Sequence, residues 1–165
     1  MRIEKATQAD VRDIVSLNKQ FHLDGIPEFR WDKESWISSQ IEDGNYLVLK
    51  VDPKTIYGAA CVQLNSEYVK SMGHTDSDAY VEAIAIHKDK HNSGIILPFI
   101  RTIIDLAKSS EKGKVVGESF VAYEHDDSIR KAGFTIGENR EWYGHQYFVF
   151  WASVSDLERK YRLRK

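Results

Sequence analysis

The sequence has little of what marks secreted, membrane or nucleic-acid-binding proteins. Cys61 is the only cysteine in 165 residues, so no disulfide framework can form within the chain, and a reducing compartment is favoured. The longest apolar run, residues 147–152, is too short to span a bilayer, and the N-terminus lacks the apolar core of a signal peptide. A net charge of −2 gives no reason to expect nucleic acid as a partner. These absences predict a cytoplasmic protein that binds neither membrane nor nucleic acid.

The composition is that of a folded domain. Hydrophobic residues make up 42% of the chain and charged residues 29%, so the chain can bury a core. The length suits a single domain over residues 1–165, and no repeat, low-complexity tract or linker divides the sequence. Helical and extended patterns are mixed along the chain. This mixture predicts an α/β (α+β) fold with one twisted, mostly antiparallel sheet flanked by helices.

Local patterns place most of the elements. Residues 7–10 fit a capping box before the first helix, and Asp32 is predicted as the N-cap of the second. We expect residues 65–78 to form a long hairpin loop or a ragged extension of two strands. Residues 139–146 connect a final pair of strands, and residues 155–165 form a basic tail with a helical turn or two. The predicted order is strand, two helices, three strands, helix, strand, short helix and two strands.

Residues 81–106 carry the most informative pattern. Residues 81–86 are largely apolar on both faces, which is typical of a strand covered on both sides. A polar turn over residues 88–93 and Gly94 follow, and beyond them apolar residues recur at helical spacing. A strand, a short loop and a helix in this order direct backbone N–H groups and the positive end of a helix dipole at one point. The segment therefore predicts an anion site that suits a phosphate.

This order of elements resembles the GNAT superfamily of N-acetyltransferases over nearly the whole chain. The family's acyl-CoA motif, Arg/Gln-x-x-Gly-x-Gly/Ala, lies between the fourth strand and the following helix. The matching segment here is residues 91–96, in which Gly94 fits the motif, whereas His91 and Ile96 depart from it. The family's Gly-Phe pair is present as Gly133-Phe134, but Ile129 stands at the position of the usual tyrosine proton donor.

The resemblance implies a GNAT-like fold and the transfer of an acetyl group from acetyl-CoA to a primary amine. The acceptor would be a small molecule or a peptide. In such a fold the end of the fourth strand offers a backbone N–H to the thioester, and the following loop holds the pyrophosphate. The residues thereby implied in cofactor binding are Ile84, Ala85, Ile86, His91, Asn92, Ser93, Gly94, Ile95 and Ile96.

The transfer needs a base and an acid. An alkyl ammonium has a pKa of about 10 and must lose a proton before it attacks, and Glu82 is the candidate base, acting directly or through a water. The departing thiolate needs a proton, for which Tyr123, Tyr143 and His145 are candidates, with Tyr143 and His145 preferred.

Other interpretations stay open. A GNAT-fold protein that binds CoA, another ligand or a partner without catalysis fits the departures from the motif, and a nucleotide-phosphate binder is a third hypothesis. His87 and His91 lack a third ligand at useful spacing, so no metal site is predicted. The aromatic residues between Trp142 and Trp151 are expected in the core of the last hairpin, with a share in a homodimer contact as a further option.

Overall fold

The computed structural model describes residues 1–91 and 93–162. Asn92 and the last three residues of the predicted basic tail lie outside this part of the chain. The strands are β1 (Arg2–Lys5), β2 (Tyr46–Asp52), β3 (Thr55–Gln63), β4 (Asp78–Ile86), β5 (Lys114–Phe120), β6 (Thr135–Ile136), β7 (Arg140–Trp142) and β8 (His145–Ser153). The α-helices are α1 (Val11–Lys19), α2 (Glu34–Glu42), α3 (Ser66–Ser71), α4 (Ile96–Ser109), α5 (Asp126–Lys131) and α6 (Val154–Arg162).

The chain forms two compact units that divide β4 and α4 between them. The first unit comprises residues 1–62 and 83–100, and the second comprises residues 63–82 and the chain from residue 101 onwards. The architecture is the predicted mixed α/β class, a mostly antiparallel sheet flanked by helices, and this prediction is confirmed. That residues 1–165 act as a single domain stays a prediction.

The first unit packs α1 and α2 on antiparallel strands. β1 pairs with β2, and β2 pairs with β3 across a hairpin at residues 52–55. Ile14 and Ile37, both fully buried, bring the two helices onto Val48 and its neighbours. On α4, Phe99 packs so closely on Gly58 that an added Cβ there would lie 2.6 Å from the ring. A glycine at residue 58 is therefore what lets α4 approach β3.

The second unit is built around β5. The first half of β4 pairs with β5 in parallel, from Asp78 opposite Lys114 to Val81 opposite Gly117. β8 pairs antiparallel with β5 along the whole of that strand, and β6 and β7 pair in turn with β8. The helix α3 covers one face of these strands, where fully buried Val69 packs with Tyr80 and Val116.

Several local predictions are wrong. Residues 65–78 contain the helix α3, because the Asn65 side chain accepts the N–H groups of Glu67 and Tyr68 and so caps a helix. Lys33, and not Asp32, is the N-cap of α2. The predicted connection at residues 139–146 contains an additional strand, β7, which pairs with β8. In the part of the chain that the structure describes, no helix has the length and apolarity to cross a membrane.

Candidate functional site

The segment between β4 and α4 has the predicted order of a strand, a polar loop and a helix. A 3-10 turn at Lys88–Lys90 follows β4, and α4 begins at Ile96. Between them Gly94 adopts φ of +75°, a conformation that L side chains rarely adopt. A Cβ added at Gly94 would meet nothing within 4 Å among the described residues. The backbone at Gly94 is therefore open to close approach by a ligand.

Hydrogen bonds within this loop narrow the set of N–H donors that an anion could use. The Ser93 N–H donates to the Lys90 carbonyl at 3.3 Å, and the Leu97 N–H donates to the Gly94 carbonyl at 3.1 Å. Pro98, in the first turn of α4, has no N–H to offer. Of the described residues 93–96, only Ser93 has its N–H used in this way. For Gly94, Ile95 and Ile96 the structure records no backbone hydrogen bond from the N–H to another described residue.

His91 is held by the end of β4. Its Nε2 lies 2.9 Å from the Ile86 carbonyl oxygen, and since a carbonyl only accepts, Nε2 carries the hydrogen. The Gln20 side chain also donates to the Ile86 carbonyl, at 3.2 Å. In place of the Arg or Gln of the family motif, this chain therefore has an imidazole tied to the backbone, with only its Nδ1 left to face a ligand.

Positive charge lies in the same loop. Lys88 is exposed, and the Lys90 ammonium lies 4.9 Å from the centre of the Tyr57 ring, a cation–π distance. The His87 N–H donates to the Tyr57 carbonyl at 2.8 Å and fixes the loop to β3. Both lysines would add to the attraction of the helix terminus for phosphate groups.

Glu82 is a buried carboxylate in a set of hydrogen bonds within the second unit. It is 9% exposed. The Tyr68 hydroxyl lies 2.7 Å from Oε1 and 2.8 Å from Oε2, and the Gln63 side-chain amide donates to Oε2 at 2.8 Å. A buried carboxylate needs such donors, because an ionised group without them is costly. These contacts fix the position of the Glu82 carboxylate, two residues before Ile84 on β4.

Tyr68 is a partner of Glu82 that the sequence did not predict. Tyr68 lies on α3, so its position facing Glu82 depends on a helix that the sequence did not predict. The signal that could have found it is Asn65, a good N-cap residue, followed by Tyr68, Val69 and Met72 at helical spacing. Gln63 is the last residue of β3, where the alternation of strand residues gave no hint of its partner.

Tyr143 and His145 lie in the hairpin between β7 and β8. Tyr143 and Gly144 form its two-residue turn, with φ of +49° and +78°, the signs that a type I′ turn requires. Tyr143 is 56% exposed and Trp142 is 37% exposed. The prediction that these two residues lie in the core of the hairpin is therefore wrong. The His145 ring is half-buried and lies 6.0 Å from the ring of Phe120.

Two groups of titratable side chains in the first unit have structural partners. In the first unit Lys50 bridges Asp10 and Glu4, at 2.8 Å and 3.1 Å. Asp32 contacts His22, with 2.7 Å between its Oδ2 and the Nδ1 of the imidazole. Among the described residues, no three His, Cys, Asp or Glu side chains are grouped so that they could hold a metal ion.

Comparisons with known proteins place this fold. No family model and no curated protein matches the sequence. Among solved structures, Ard1 from Thermoplasma volcanium superposes with a TM-score of 0.71 at 13% identity, over 92% of this chain and 96% of its own. The yncA protein of Salmonella typhimurium, solved with its cofactor acetyl-CoA, gives 0.68 at 15% identity over 93% and 94%.

A GNAT family acetyltransferase from Listeria monocytogenes gives a TM-score of 0.67 at 11% identity, over 92% of this chain and 94% of its own. Identities this low establish a shared fold and no residue roles. The order of elements, the strand–loop–helix at Gly94 and these superpositions agree. The chain therefore has the fold of the GNAT superfamily of acetyltransferases, as its sequence predicted.

Proposed function

We propose that this protein is an N-acetyltransferase that moves an acetyl group from acetyl-CoA to the primary amine of a small molecule or peptide. The observation that carries the proposal is the loop at Gly94, whose backbone is open beside a helix N-terminus within a GNAT fold. A structural neighbour with the same fold was solved with acetyl-CoA, which supports the choice of cofactor.

In this proposal the loop from His91 to Ile96 binds the diphosphate of CoA, with Gly94, Ile95 and Ile96 as the described donors. The backbone N–H groups of Ile84, Ala85 and Ile86 are assigned to the thioester. When bound, acetyl-CoA supplies an acyl carbonyl that an amine can attack. A backbone N–H directed at that carbonyl oxygen stabilises the negative charge that develops on it.

Glu82 is assigned the role of general base. The amine must lose one proton to become a nucleophile, and the Glu82 carboxylate accepts it directly or through one water. As the new amide bond forms, the carbon–sulfur bond breaks and the thiolate leaves. Tyr143 or His145 is assigned the role of the acid that donates a proton to this thiolate. The acetyl group gains no electrons and loses none, so no redox partner is needed.

A second candidate is a GNAT-fold protein that binds CoA or another ligand without catalysis. Two contacts favour it. Both carboxylate oxygens of Glu82 already accept hydrogen bonds from Tyr68 and Gln63, as they would in a purely structural network. The His91 Nε2 is occupied by the Ile86 carbonyl and is not directed at a phosphate. A cytoplasmic location and homodimer formation stay predictions under either candidate.

Release of free CoA thiol over a panel of amines tests the proposal. We expect Glu82→Gln to lower turnover by about two to four powers of ten and to leave acetyl-CoA affinity nearly unchanged. Glu67→Gln is the matched control, because Glu67 is an exposed carboxylate on α3 next to Tyr68 and should keep full activity. Saturable binding of acetyl-CoA without thiol release over the panel would favour the second candidate. Turnover of Glu82→Gln equal to that of the unmodified chain would remove Glu82 from the mechanism.

A further inference from the structure

A groove of the second unit lies where β4 and β5 begin and β8 ends. Its volume is about 520 Å³, which is within the range of small-molecule sites. One wall is the chain that follows α3, from Gly73 to Thr75, and the other is residues 137–140, which run from the end of β6 to the first residue of β7. The floor includes Val116 and Trp151, which are opposite each other on β5 and β8.

Asp78, at the start of β4, is the least expected residue of this groove. It is 4% exposed, and its Oδ2 accepts the Thr75 N–H at 2.8 Å. Its Oδ1 is buried and has no hydrogen-bond partner among the described residues. A buried carboxylate oxygen without a donor is costly, so such an atom favours a ligand that can donate a hydrogen bond to it. A cationic N–H donor is the partner that best suits a carboxylate.

Two cations line the same groove. Lys114 is the neighbour of Asp78 on the adjacent strand, and Arg140, the first residue of β7, lies on the wall formed by residues 137–140. Both are exposed, and within the described ranges 1–91 and 93–162 the structure records no ion pair or side-chain hydrogen bond for either. An arginine whose fork of donors is unused is a ready partner for a carboxylate.

The arrangement of these charges limits the ligand. Neighbouring strands are about 4.8 Å apart, so Asp78 and Lys114 present an anion and a cation side by side. A ligand that satisfies both must carry a cation and an anion close together. The ammonium and carboxylate of an α-amino acid, attached to one carbon, have this spacing. The apolar floor of valine and tryptophan would suit an apolar side chain.

We propose that this groove of the second unit binds a free α-amino acid with an apolar side chain. Asp78 takes the ammonium group, Lys114 and Arg140 take the carboxylate, and Val116 and Trp151 contact the side chain. The neighbouring wall is fixed, since His74 Nε2 lies 3.2 Å from Glu118 Oε1 and the His74 ring lies 4.7 Å from the ring of Tyr80. The site involves neither Glu82 nor the loop at Gly94, so it is separate from the proposed transferase chemistry.

Calorimetric titration of the whole chain, without acetyl-CoA, tests this site. The probes are L-leucine, L-methionine and L-phenylalanine, of which at least one should bind saturably below about 10 mM. Leucinamide lacks the carboxylate and resembles a peptide N-terminus, whereas isocaproate lacks the ammonium group. Each should bind at least about tenfold more weakly than leucine, because each satisfies only one of the two charges.

Variants assign the contacts. Asp78→Asn keeps an oxygen that can accept the Thr75 N–H but loses the charge, and we expect at least about a tenfold loss of amino-acid affinity. Arg140→Gln, on the exposed wall, should also bind amino acids more weakly and should not affect the fold. This variant therefore still tests the site if Asp78→Asn does not fold. Arg12→Gln, an exposed arginine of α1, is the matched control and should bind as the unmodified chain does.

Three results would overturn the proposal. The first is the absence of saturable binding by all three amino acids at about 10 mM. The second is equal binding of leucine by Arg140→Gln and by the Arg12→Gln control. The third is binding of leucinamide as tight as that of leucine, which would identify a site for a peptide terminus or another amine. Because acetyl-CoA is absent, failure here would leave the proposed transferase function standing.

Discussion

Asp10→Asn tests whether the buried ion pair of the first unit stabilises the fold. The side chains of Asp10 and Lys50 are 8% and 9% exposed, and the Lys50 ammonium lies 2.8 Å from Asp10 Oδ1. Asp10 Oδ2 also accepts the Thr7 N–H at 2.8 Å, closing the predicted capping box. Asparagine keeps an oxygen for the cap but removes the charge. The substitution therefore isolates the ion pair from the helix start.

Loss of one partner from a buried ion pair costs about 3–5 kcal/mol, because the remaining charge is left in a poor solvent. Here Glu4 still lies 3.1 Å from the Lys50 ammonium and shares its charge. We therefore expect Asp10→Asn to lower the free energy of unfolding by about 2–3 kcal/mol. For a chain of this length that corresponds to a fall in Tm of about 5–10 °C.

The pKa shifts of Asp10 and Lys50 determine how the stability contributed by the pair changes with pH. Burial opposes ionisation of Asp10, but hydrogen bonds from Lys50 and Thr7 outweigh it and lower the Asp10 pKa. Its contribution to stability is present above the unfolded pKa, about 3.9, and is lost as pH falls through the lower folded value. The pKa of Lys50 is raised, chiefly by its hydrogen bond to Asp10. That contribution is present below about pH 10.4 and is lost as pH rises through the higher folded value.

Denaturant unfolding of both chains from pH 2 to pH 8 measures this difference, which should be largest near neutral pH and should decrease as pH falls below about 3.9, the unfolded pKa of aspartate, towards the lower folded value. Asp13→Asn, at an exposed position of α1, is the control and should change stability by less than about 0.5 kcal/mol. Adding Lys50→Met should restore much of the loss, because it removes the unpaired ammonium. A penalty below about 0.5 kcal/mol, or one that does not change with pH, would refute the reasoning.

The remaining predictions concern the proposed active site. Tyr68→Phe removes the hydroxyl donor to Glu82 and should lower kcat by about ten- to a hundredfold in the thiol-release assay without changing acetyl-CoA affinity. Tyr161→Phe removes a phenol hydrogen bond to the Ala132 carbonyl and is the control; an equal fall in kcat there would contradict a special role for Tyr68. Gly94→Ala should weaken acetyl-CoA binding at least about tenfold in calorimetry, because it strains a backbone at φ +75° and adds a methyl group beside the proposed diphosphate. Gly44→Ala carries the same strain at φ +76° and should bind the cofactor normally; equal weakening in both variants would remove Gly94 from the site.

Much of the fold follows from local sequence signals. The capping box at Thr7, the hairpin at residues 52–54 and the change from strand to helical periodicity around Gly94 each depend on a few neighbouring residues, and each is present. Gly94 also has a positive φ, which glycine adopts without strain. Signals of this kind are reliable because the interaction that fixes the backbone lies within the segment itself.

The elements that the sequence missed are short or depend on distant partners. The helix α3 has six residues, too few for a clear apolar period, and it is stabilised by packing of Val69 on the sheet. The strand β7 has three residues and exists through its pairing with β8. The Tyr68 contact to Glu82 joins residues 14 positions apart in the chain, and that of Gln63 joins residues 19 apart. Local sequence patterns do not predict contacts between residues this far apart in the chain.

Calorimetric titration with acetyl-CoA, and in parallel with S-acetylpantetheine, tests the central claim most directly. The second compound keeps the thioester but lacks the nucleotide and the diphosphate that the backbone around Gly94 is proposed to hold. We expect saturable binding of acetyl-CoA and at least about tenfold weaker binding of S-acetylpantetheine. No binding of acetyl-CoA at about 1 mM, or equal affinity for the two compounds, would contradict the claim.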